Sequence, residues 1–332
     1  MNFFPGGSDP GFALYLAEYY MRLSRAEPTI ENEITALQSI QRTFSPDILF
    51  PAMDLDEFAS LFAGEGFIDS GSGGDAVDWN NQALESIIRS PTREEMEASH
   101  SVQLLDAVGT NKSLHPRYLG AFCPAPFTLV SNIIGLQTAS DLLRRNIEFL
   151  TALVSRAAAV LVDYVQVIRE KAGVIVVLAP NECRISRRAY DAVAMASVQD
   201  LVGAVASGGD IVSFLHLCAR NNEHIVNSDV IAPLARLGLT GLNVPNILHA
   251  AQLAQDLDLV LLGGIDPVDI LQREWQAIMQ ETRVLFEETK GLRFILGMNC
   301  RMAKNPAIEP TSALLTNFLE LKKLVREFSH FI

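Results

Sequence analysis

A histidine and a cysteine lie two positions apart in the second half of the 332-residue sequence, as His216 and Cys218. Both belong to Ile211–Cys218, a short apolar run that predicts a buried strand. Alternate residues of a strand point to the same face, so the imidazole and the thiol should project side by side where the strand ends. Zinc prefers nitrogen and sulfur ligands, and the pair therefore predicts two ligands of a metal site.

Cys300 is the candidate for a third ligand. It follows Arg293–Met298, which predicts the last strand of the chain. In a barrel of parallel strands both strand ends lie on one face, and three protein ligands leave the fourth position of zinc open, as in catalytic sites. On spacing alone a second interpretation stays open, in which Cys218 and Cys300 are small buried hydrophobic residues and His216 is a core histidine with satisfied hydrogen bonds.

The elements that must position these residues alternate along the chain. From residue 47 to the end, about eight strand-like runs are separated by helical patterns, which is typical of parallel βαβ units. This number of units in roughly 280 residues predicts an α/β protein of the TIM type, a (β/α)8 barrel with a helical N-terminal extension. We place the extension at residues 1–45 and the barrel at residues 46–332. A doubly wound open sheet is the alternative fold.

The early part of the chain sets the numbering of the strands. Phe12–Ser24 is apolar on a helical period and predicts a helix, whereas Asp47–Met53 and Gly66–Ser70 predict the first two strands. Ile211–Cys218 then becomes the fifth strand and Arg293–Met298 the eighth. Active sites of such barrels lie where strands end and βα loops begin, which is where the candidate ligands fall.

The composition argues against several classes of protein. The chain is 49% hydrophobic and 20% charged with a net charge of −13, which predicts a soluble globular protein and disfavours binding to nucleic acid or to an anionic membrane. Its longest strongly apolar run, Gly173–Pro180, is far shorter than the roughly 20 residues that span a bilayer. The N-terminus lacks the regions of a signal peptide, and the four scattered cysteines favour cytoplasmic thiols over a disulfide scaffold.

Five motifs occur in an order and spacing that resemble those of the uroporphyrinogen decarboxylase superfamily. The members of this superfamily are (β/α)8 barrels. The motifs are Gly120-Ala121-Phe122, Ala125–Leu129, His216–Cys218, Leu262–Pro267 and Phe294–Cys300. Within the superfamily, the His-x-Cys motif with a late cysteine resembles the zinc-dependent corrinoid methyltransferases, such as the methylcobamide:coenzyme M enzymes. The resemblance covers most of the chain, from about Leu37 onward, and implies that His216, Cys218 and Cys300 bind zinc.

The same resemblance implies the reaction and its participants. A methyl group would pass from a methylcorrinoid (methylcobalamin) to a small thiol acceptor such as coenzyme M. The chain contains no Asp-x-His-x-x-Gly signature of a corrinoid-binding protein, so the corrinoid would arrive on a partner protein. Two alternatives remain, a metal-free decarboxylase or lyase of the superfamily and a non-catalytic barrel that binds a small ligand.

The sequence departs from the superfamily at two places. Uroporphyrinogen decarboxylases carry an N-terminal arginine-rich motif for substrate carboxylates, but the nearest string here, Met21–Arg25, predicts a helix end. A tetrapyrrole with many carboxylates would also be repelled by the net charge of −13. Coenzyme-M-type enzymes carry acidic residues after the strand that corresponds to Gly241–Val244, where this chain has Pro245-Asn246. The fourth zinc ligand is therefore open between water, Glu182 and Cys183.

Three further residues are candidates at the same end of the barrel. Glu182 follows the fourth predicted strand and is a candidate catalytic carboxylate. Asn243, near the end of the sixth strand, and Asp266, after the seventh, are candidates for substrate binding. Asp266 precedes Pro267, so we also expect it to cap the helix that begins there.

Overall fold

Eight parallel strands close into a barrel in a computed structural model, which describes residues 11–65, 83–207, 209–217, 224–266, 269, 274–300 and 312–329. The strands follow one another around the barrel in chain order, and the first is hydrogen-bonded to both the second and the eighth. They are β1 (Gly11–Leu14), β2 (Ile48–Leu49), β3 (Tyr118–Pro124), β4 (Val174–Leu178), β5 (Val212–His216), β6 (Gly241–Val244), β7 (Val260–Ile265) and β8 (Phe294–Met298). The predicted (β/α)8 fold is confirmed.

Helices cover the outside of the barrel between the strands. In the described part of the chain they are α1 (Ala17–Leu23), α2 (Ile30–Phe44), α3 (Leu55–Phe62), α4 (Leu84–Ile87), α5 (Arg93–Glu97), α6 (His100–Thr110), α7 (Pro126–Ile134), α8 (Leu136–Arg145), α9 (Ile147–Arg169), α10 (Arg187–Val193), α11 (Met195–Ala206), α12 (Ser228–Arg236), α13 (Ile247–Asp256), α14 (Trp275–Glu288) and α15 (Ser312–Ser329). A short 3-10 helix, Glu182–Arg184, follows β4.

The barrel begins earlier than the sequence predicts. Phe12–Ser24 is predicted as one helix, yet Gly11–Leu14 forms β1 and α1 starts only at Ala17. The barrel therefore starts inside the segment 1–45 that the sequence assigns to a helical extension. The physical reason is that a four-residue strand followed directly by an apolar helix forms one apolar run, in which a period of 2 cannot be separated from a period of 3.6.

The numbering of the later strands nevertheless agrees with the prediction. The first predicted strand, Asp47–Met53, contains the two residues of β2. The second predicted strand, Gly66–Ser70, lies outside the described residues. The sequence therefore misses one early strand, β1, and predicts another in residues that the structure does not describe. The run that contains His216 remains the fifth strand, and the run that precedes Cys300 remains the eighth.

Glycines inside the barrel make room for large side chains of neighbouring strands. A Cβ atom added at Gly120 would lie 2.2 Å from the ring of Phe50, and one at Gly241 would lie 2.5 Å from the ring of Phe214. Each ring fills the space that the glycine of the adjacent strand leaves. This pairing of a large side chain with a glycine fills the barrel near the level of the candidate site.

The 23-residue helix α9 belongs to the packed shell of helices. By length and composition it could cross a membrane, and 56% of its apolar window is buried inside the protein. Its buried face includes Leu150, Leu153, Leu161 and Ile168, none of which is measurably exposed. Such a helix is the core helix of a barrel shell, because its apolar residues contact protein.

Candidate functional site

His216 and Asn243 face each other inside the barrel, at the carboxyl ends of β5 and β6. The two residues are paired in the strand register, and both side chains are buried. His216 Nδ1 and Asn243 Oδ1 are hydrogen-bonded. Both side chains point into the barrel, because Asn243 also contacts Tyr15, which follows β1, and the Met298 carbonyl in β8, and neither strand is a neighbour of β6. The contact to Asn243 leaves His216 Nε2 as the nitrogen that can bind a metal.

Cys300 lies at the same end of the barrel, two residues after β8. It is half-buried and lies close to Tyr15, which follows β1. Burial raises the pKa of the Tyr15 hydroxyl, and the nearby Cys300 thiolate raises that pKa further. Tyr15 in turn donates a hydrogen bond to Asn243 Oδ1 at 3.3 Å, so Tyr15 and His216 are bonded to the same side-chain oxygen, and Cys300 acts on Tyr15 through its charge.

The loop that carries Cys300 is anchored by the residue before it. The Asn299 backbone N–H donates to the Ile265 carbonyl at 2.8 Å, and Asn299 Oδ1 accepts from the Gly264 N–H at 2.7 Å. Gly263 and Gly264 have φ values of 148° and 91°, a region that residues with a Cβ atom rarely adopt. The two glycines therefore let β7 end in the conformation that holds Asn299.

Two of the three predicted zinc ligands lie among the described residues. His216 offers an imidazole nitrogen and Cys300 a thiol, the donor types that zinc prefers. Cys218, the third predicted ligand, lies outside the described residues. Within the described ranges, no three His, Cys, Asp or Glu side chains form a group that could hold a metal. Zinc binding by His216, Cys218 and Cys300 therefore stays a prediction.

Glu182 is fully buried and contacts the first turn of α7. Its Oε1 accepts from the Thr128 backbone N–H at 3.0 Å, and its Oε2 accepts from the Thr128 hydroxyl. Burial raises the pKa of Glu182 to about 7, although the hydrogen bonds from Thr128 favour the ionised form. The carboxylate thus caps a helix whose own N-cap, Ala125, offers no side-chain acceptor, and its catalytic role stays a prediction.

Asp266 lines a cavity of about 490 Å³ between α13 and α14, next to Asn299. Its Oδ1 accepts from the Asp269 backbone N–H at 3.4 Å, which is the capping contact expected from the sequence. Asn243, the other candidate for substrate binding, does not line this cavity. Its side chain is fully buried and bonded inside the barrel. Substrate binding by either residue stays a prediction.

The sequence does not single out Tyr15, Thr128 or Asn299, which contribute to the site. Tyr15 falls in the run that is predicted as a helix, so its place at the end of a strand could not be inferred. Thr128 belongs to the Ala125–Leu129 motif, and this motif is the feature of the sequence that could have indicated its role. Asn299 directly precedes Cys300, and its role depends on a contact with Gly264, 35 residues away.

Comparison with known proteins identifies a family and a set of related folds. The family model for Uroporphyrinogen decarboxylase (URO-D) matches residues 86–318. No curated protein matches the chain. Two solved structures resemble it, a B12-independent methionine synthase from Shewanella sp. W3-18-1 in complex with selenomethionine and a putative vitamin-B12-independent methionine synthase from Listeria monocytogenes.

These structural matches differ in extent. The Shewanella protein is 13% identical, with a TM-score of 0.44, and the match covers 64% of each chain, less than two thirds of that protein. The Listeria protein is 11% identical, with a TM-score of 0.51, and the match covers 98% of this chain and 97% of that one. At this identity the Listeria match shows a shared fold. The family model covers more than half of the sequence, and the chain therefore belongs to the uroporphyrinogen decarboxylase family.

Proposed function

We propose that this chain is a zinc-dependent methyltransferase, which moves a methyl group from a methylcorrinoid on a partner protein to a thiol acceptor such as coenzyme M. The observation that carries the proposal is the buried His216 at the carboxyl end of β5, bonded through Nδ1 to Asn243, with Cys300 two residues after β8 at the same end of the barrel. His216, Cys218 and Cys300 would hold the zinc and leave one position for the acceptor.

The residues of the site suit methyl transfer to sulfur. When bound, zinc supplies a Lewis acid that keeps an acceptor thiol in its thiolate form, which is the nucleophilic form. The cysteinates of Cys218 and Cys300 and the neutral imidazole of His216 would balance the charge of a bound zinc, so an acceptor sulfur would keep its electron density. In the transfer, a sulfur–carbon bond forms as the cobalt–carbon bond of the corrinoid breaks, and the electron pair of that bond stays with the corrinoid.

The described cavity is less suited to the decarboxylase alternative. A tetrapyrrole with many carboxylates needs cationic groups around it. Among the described residues that line the 490 Å³ cavity, the charged side chains are those of Asp266, Asp269 and Glu281. Their sign is the same as that of the substrate, so this cavity would repel it.

Metal analysis of purified variants tests the proposal. We expect about one zinc per chain in the parent protein and a loss of zinc in Cys218→Ser, Cys300→Ser and His216→Gln. Cys123→Ala is the matched control, because the Cys123 thiol is fully buried and its hydrogen bond goes to the carbonyl of Pro124. Folded Cys218→Ser and Cys300→Ser proteins that retain the zinc content of the parent would contradict the proposal.

Turnover tests the reaction separately from the metal. The parent protein should demethylate methylcobalamin in the presence of coenzyme M or homocysteine, and the product thioether is measured directly. A zinc-loaded protein that shows no turnover with any thiol of such a panel would support the alternative of a non-catalytic barrel.

A further inference from the structure

The side-chain amide of Asn243 has one possible orientation in the barrel. Its Nδ2 donates to the Leu262 carbonyl at 2.9 Å and to the Met298 carbonyl at 3.2 Å. Carbonyl oxygens only accept hydrogen bonds, so the reversed amide would place Oδ1 against two acceptors. All of these groups are buried, where an unsatisfied polar atom is strongly unfavourable. Strands β7 and β8 therefore fix Oδ1 toward β5.

The orientation of Asn243 decides which nitrogen of His216 carries the proton. Oδ1 is an acceptor only, so the ring nitrogen that contacts it, Nδ1, must donate. The Tyr15 hydroxyl donates to the same oxygen at 3.3 Å, and two donors then use its two lone pairs. With the proton on Nε2 instead, a lone pair of Nδ1 would face a lone pair of Oδ1 in a buried place.

We propose that Asn243 is a positioning residue, which holds His216 as the Nδ1–H tautomer and thereby presents Nε2 to the metal. The metal half of this inference rests on the proposed function, whereas the tautomer can be observed without metal. Metal-binding histidines commonly donate their second nitrogen to an acceptor, and loss of that acceptor weakens metal binding by about 10–100-fold. Here the acceptor is an amide that two other strands orient.

Two substitutions of Asn243 separate positioning from structural support. Asn243→Asp and Asn243→Leu both remove the donors to Leu262 and Met298, but only the aspartate keeps an acceptor for His216. If Asn243 only supported the structure, the two substitutions would have equal effects on the His216 tautomer and on zinc affinity. Ser213→Ala is the matched control, because Ser213 also joins β5 to the region before β6, through Gly238 and Thr240, without contacting His216.

Nitrogen-15 NMR of histidine side chains in the metal-free proteins at pH 8 reads the tautomer, with His216→Gln to assign the signal. We expect the proton of His216 on Nδ1 in the parent, Asn243→Asp and Ser213→Ala proteins, and a shift toward the Nε2–H form in Asn243→Leu. A parent protein with the proton on Nε2, or the same tautomer in Asn243→Asp and Asn243→Leu, overturns the inference. If Asn243→Leu does not fold, Asn243→Ala replaces it, and the spectrum of the parent remains decisive.

Zinc affinity, measured by competition with a chelator, is the second readout. We expect Asn243→Leu to bind zinc about 10–100-fold more weakly than the parent, and Asn243→Asp and Ser213→Ala to remain close to it. Equal weakening in Asn243→Asp and Asn243→Leu overturns the inference. A parent protein that binds no zinc contradicts the proposed function alone, because the tautomer spectra still decide whether Asn243 orients His216.

Discussion

At the scale of single residues, Glu182 has an unusual electrostatic environment. It is fully buried, its pKa is raised to about 7 by that burial, and Thr128 holds both of its oxygens at the start of α7. The helix N-terminus favours a negative charge there, but burial outweighs it. The protonation of this carboxyl group therefore changes near neutral pH.

The raised pKa predicts a pH dependence of stability. The pKa of Glu182 is 4.5 ordinarily and about 7 in the folded protein, so between pH 4.5 and pH 7 the folded protein holds a proton at Glu182 that the unfolded chain has lost. The contribution of this carboxyl group to stability is therefore fully present below pH 4.5 and is lost as the pH rises through 7. Glu182→Gln keeps an acceptor for the Thr128 N–H and has no charge to bury. Relative to the parent, the free energy of unfolding of this variant should increase by about 2–3 kcal/mol between pH 5 and pH 8.

Urea unfolding at pH 5, 6, 7 and 8 measures this effect. Glu148→Gln, which removes an exposed carboxylate in the first turn of α9, serves as the control and should follow the parent at every pH. Profiles of Glu182→Gln and the parent that run parallel across this range would show that Glu182 ionises normally in the folded protein.

At the scale of elements, the end of β7 and the loop after β8 act as one unit. Gly264 donates its N–H to Asn299, and Asn299 donates its own N–H back to Ile265, so the loop is bonded to the strand on both sides. Cys300 follows directly, and its position depends on this pair of contacts. The Gly-Gly sequence in β7 is required because both residues have positive φ.

Removal of the Asn299 acceptor should loosen the loop. Asn299→Ala leaves the half-buried Gly264 N–H without its partner, and we expect a loss of about 0.5–1.5 kcal/mol of unfolding free energy. The half-buried Cys300 should then react faster with iodoacetamide in metal-free protein, as measured by peptide mass spectrometry. Asn299→Asp is the matched control because it keeps the acceptor oxygen. Equal alkylation rates in the two variants would indicate that Asn299 does not hold the loop.

The sequence predicts the elements around the site better than their contacts. Long apolar runs such as β4 and β5 are unambiguous, because helices on the outside and side chains on the inside bury both faces of each strand. Strands β1 and β2, with four and two residues, are too short to show a periodic pattern. The bond from His216 to Asn243 joins residues 27 positions apart and depends on the register of β5 and β6, which no local pattern specifies.

At the scale of the whole molecule, closure of the barrel creates the site. The Tyr15 side chain, directly after β1, reaches across the interior to Asn243 on β6, and Asn243 donates to the backbone of β7 and β8. A row of contacts from four strands therefore supports His216. A glycine two residues earlier allows close packing below these contacts, since the ring of Phe214, two residues before His216, packs against Gly241, two residues before Asn243.

Gly241→Ala should disturb this interior directly. Its Cβ would lie 2.4 Å from the Val260 carbonyl oxygen and 2.5 Å from the Phe214 ring, so the strand or the ring must move. Overpacking of this kind reduces the free energy of unfolding by about 1–3 kcal/mol. Gly203→Ala is the control, because the new Cβ in α11 meets nothing within 4 Å and should stabilise that helix by about 0.5–1 kcal/mol. Urea unfolding compares the two, and equal stabilities would contradict the close packing.

The pairing of β1 with β8 has a consequence for how the protein folds. Gly11 pairs with Ile295, so the contact that closes the barrel joins residues from nearly opposite ends of the described chain. Contacts of such long range form late, because the intervening chain loses much entropy when the loop closes. During synthesis, β1 and β7 remain open strand edges until Phe294–Met298 has been made, and open edges favour aggregation. Cys300 emerges immediately after that segment, so the candidate zinc ligands come together only in a chain that is able to close.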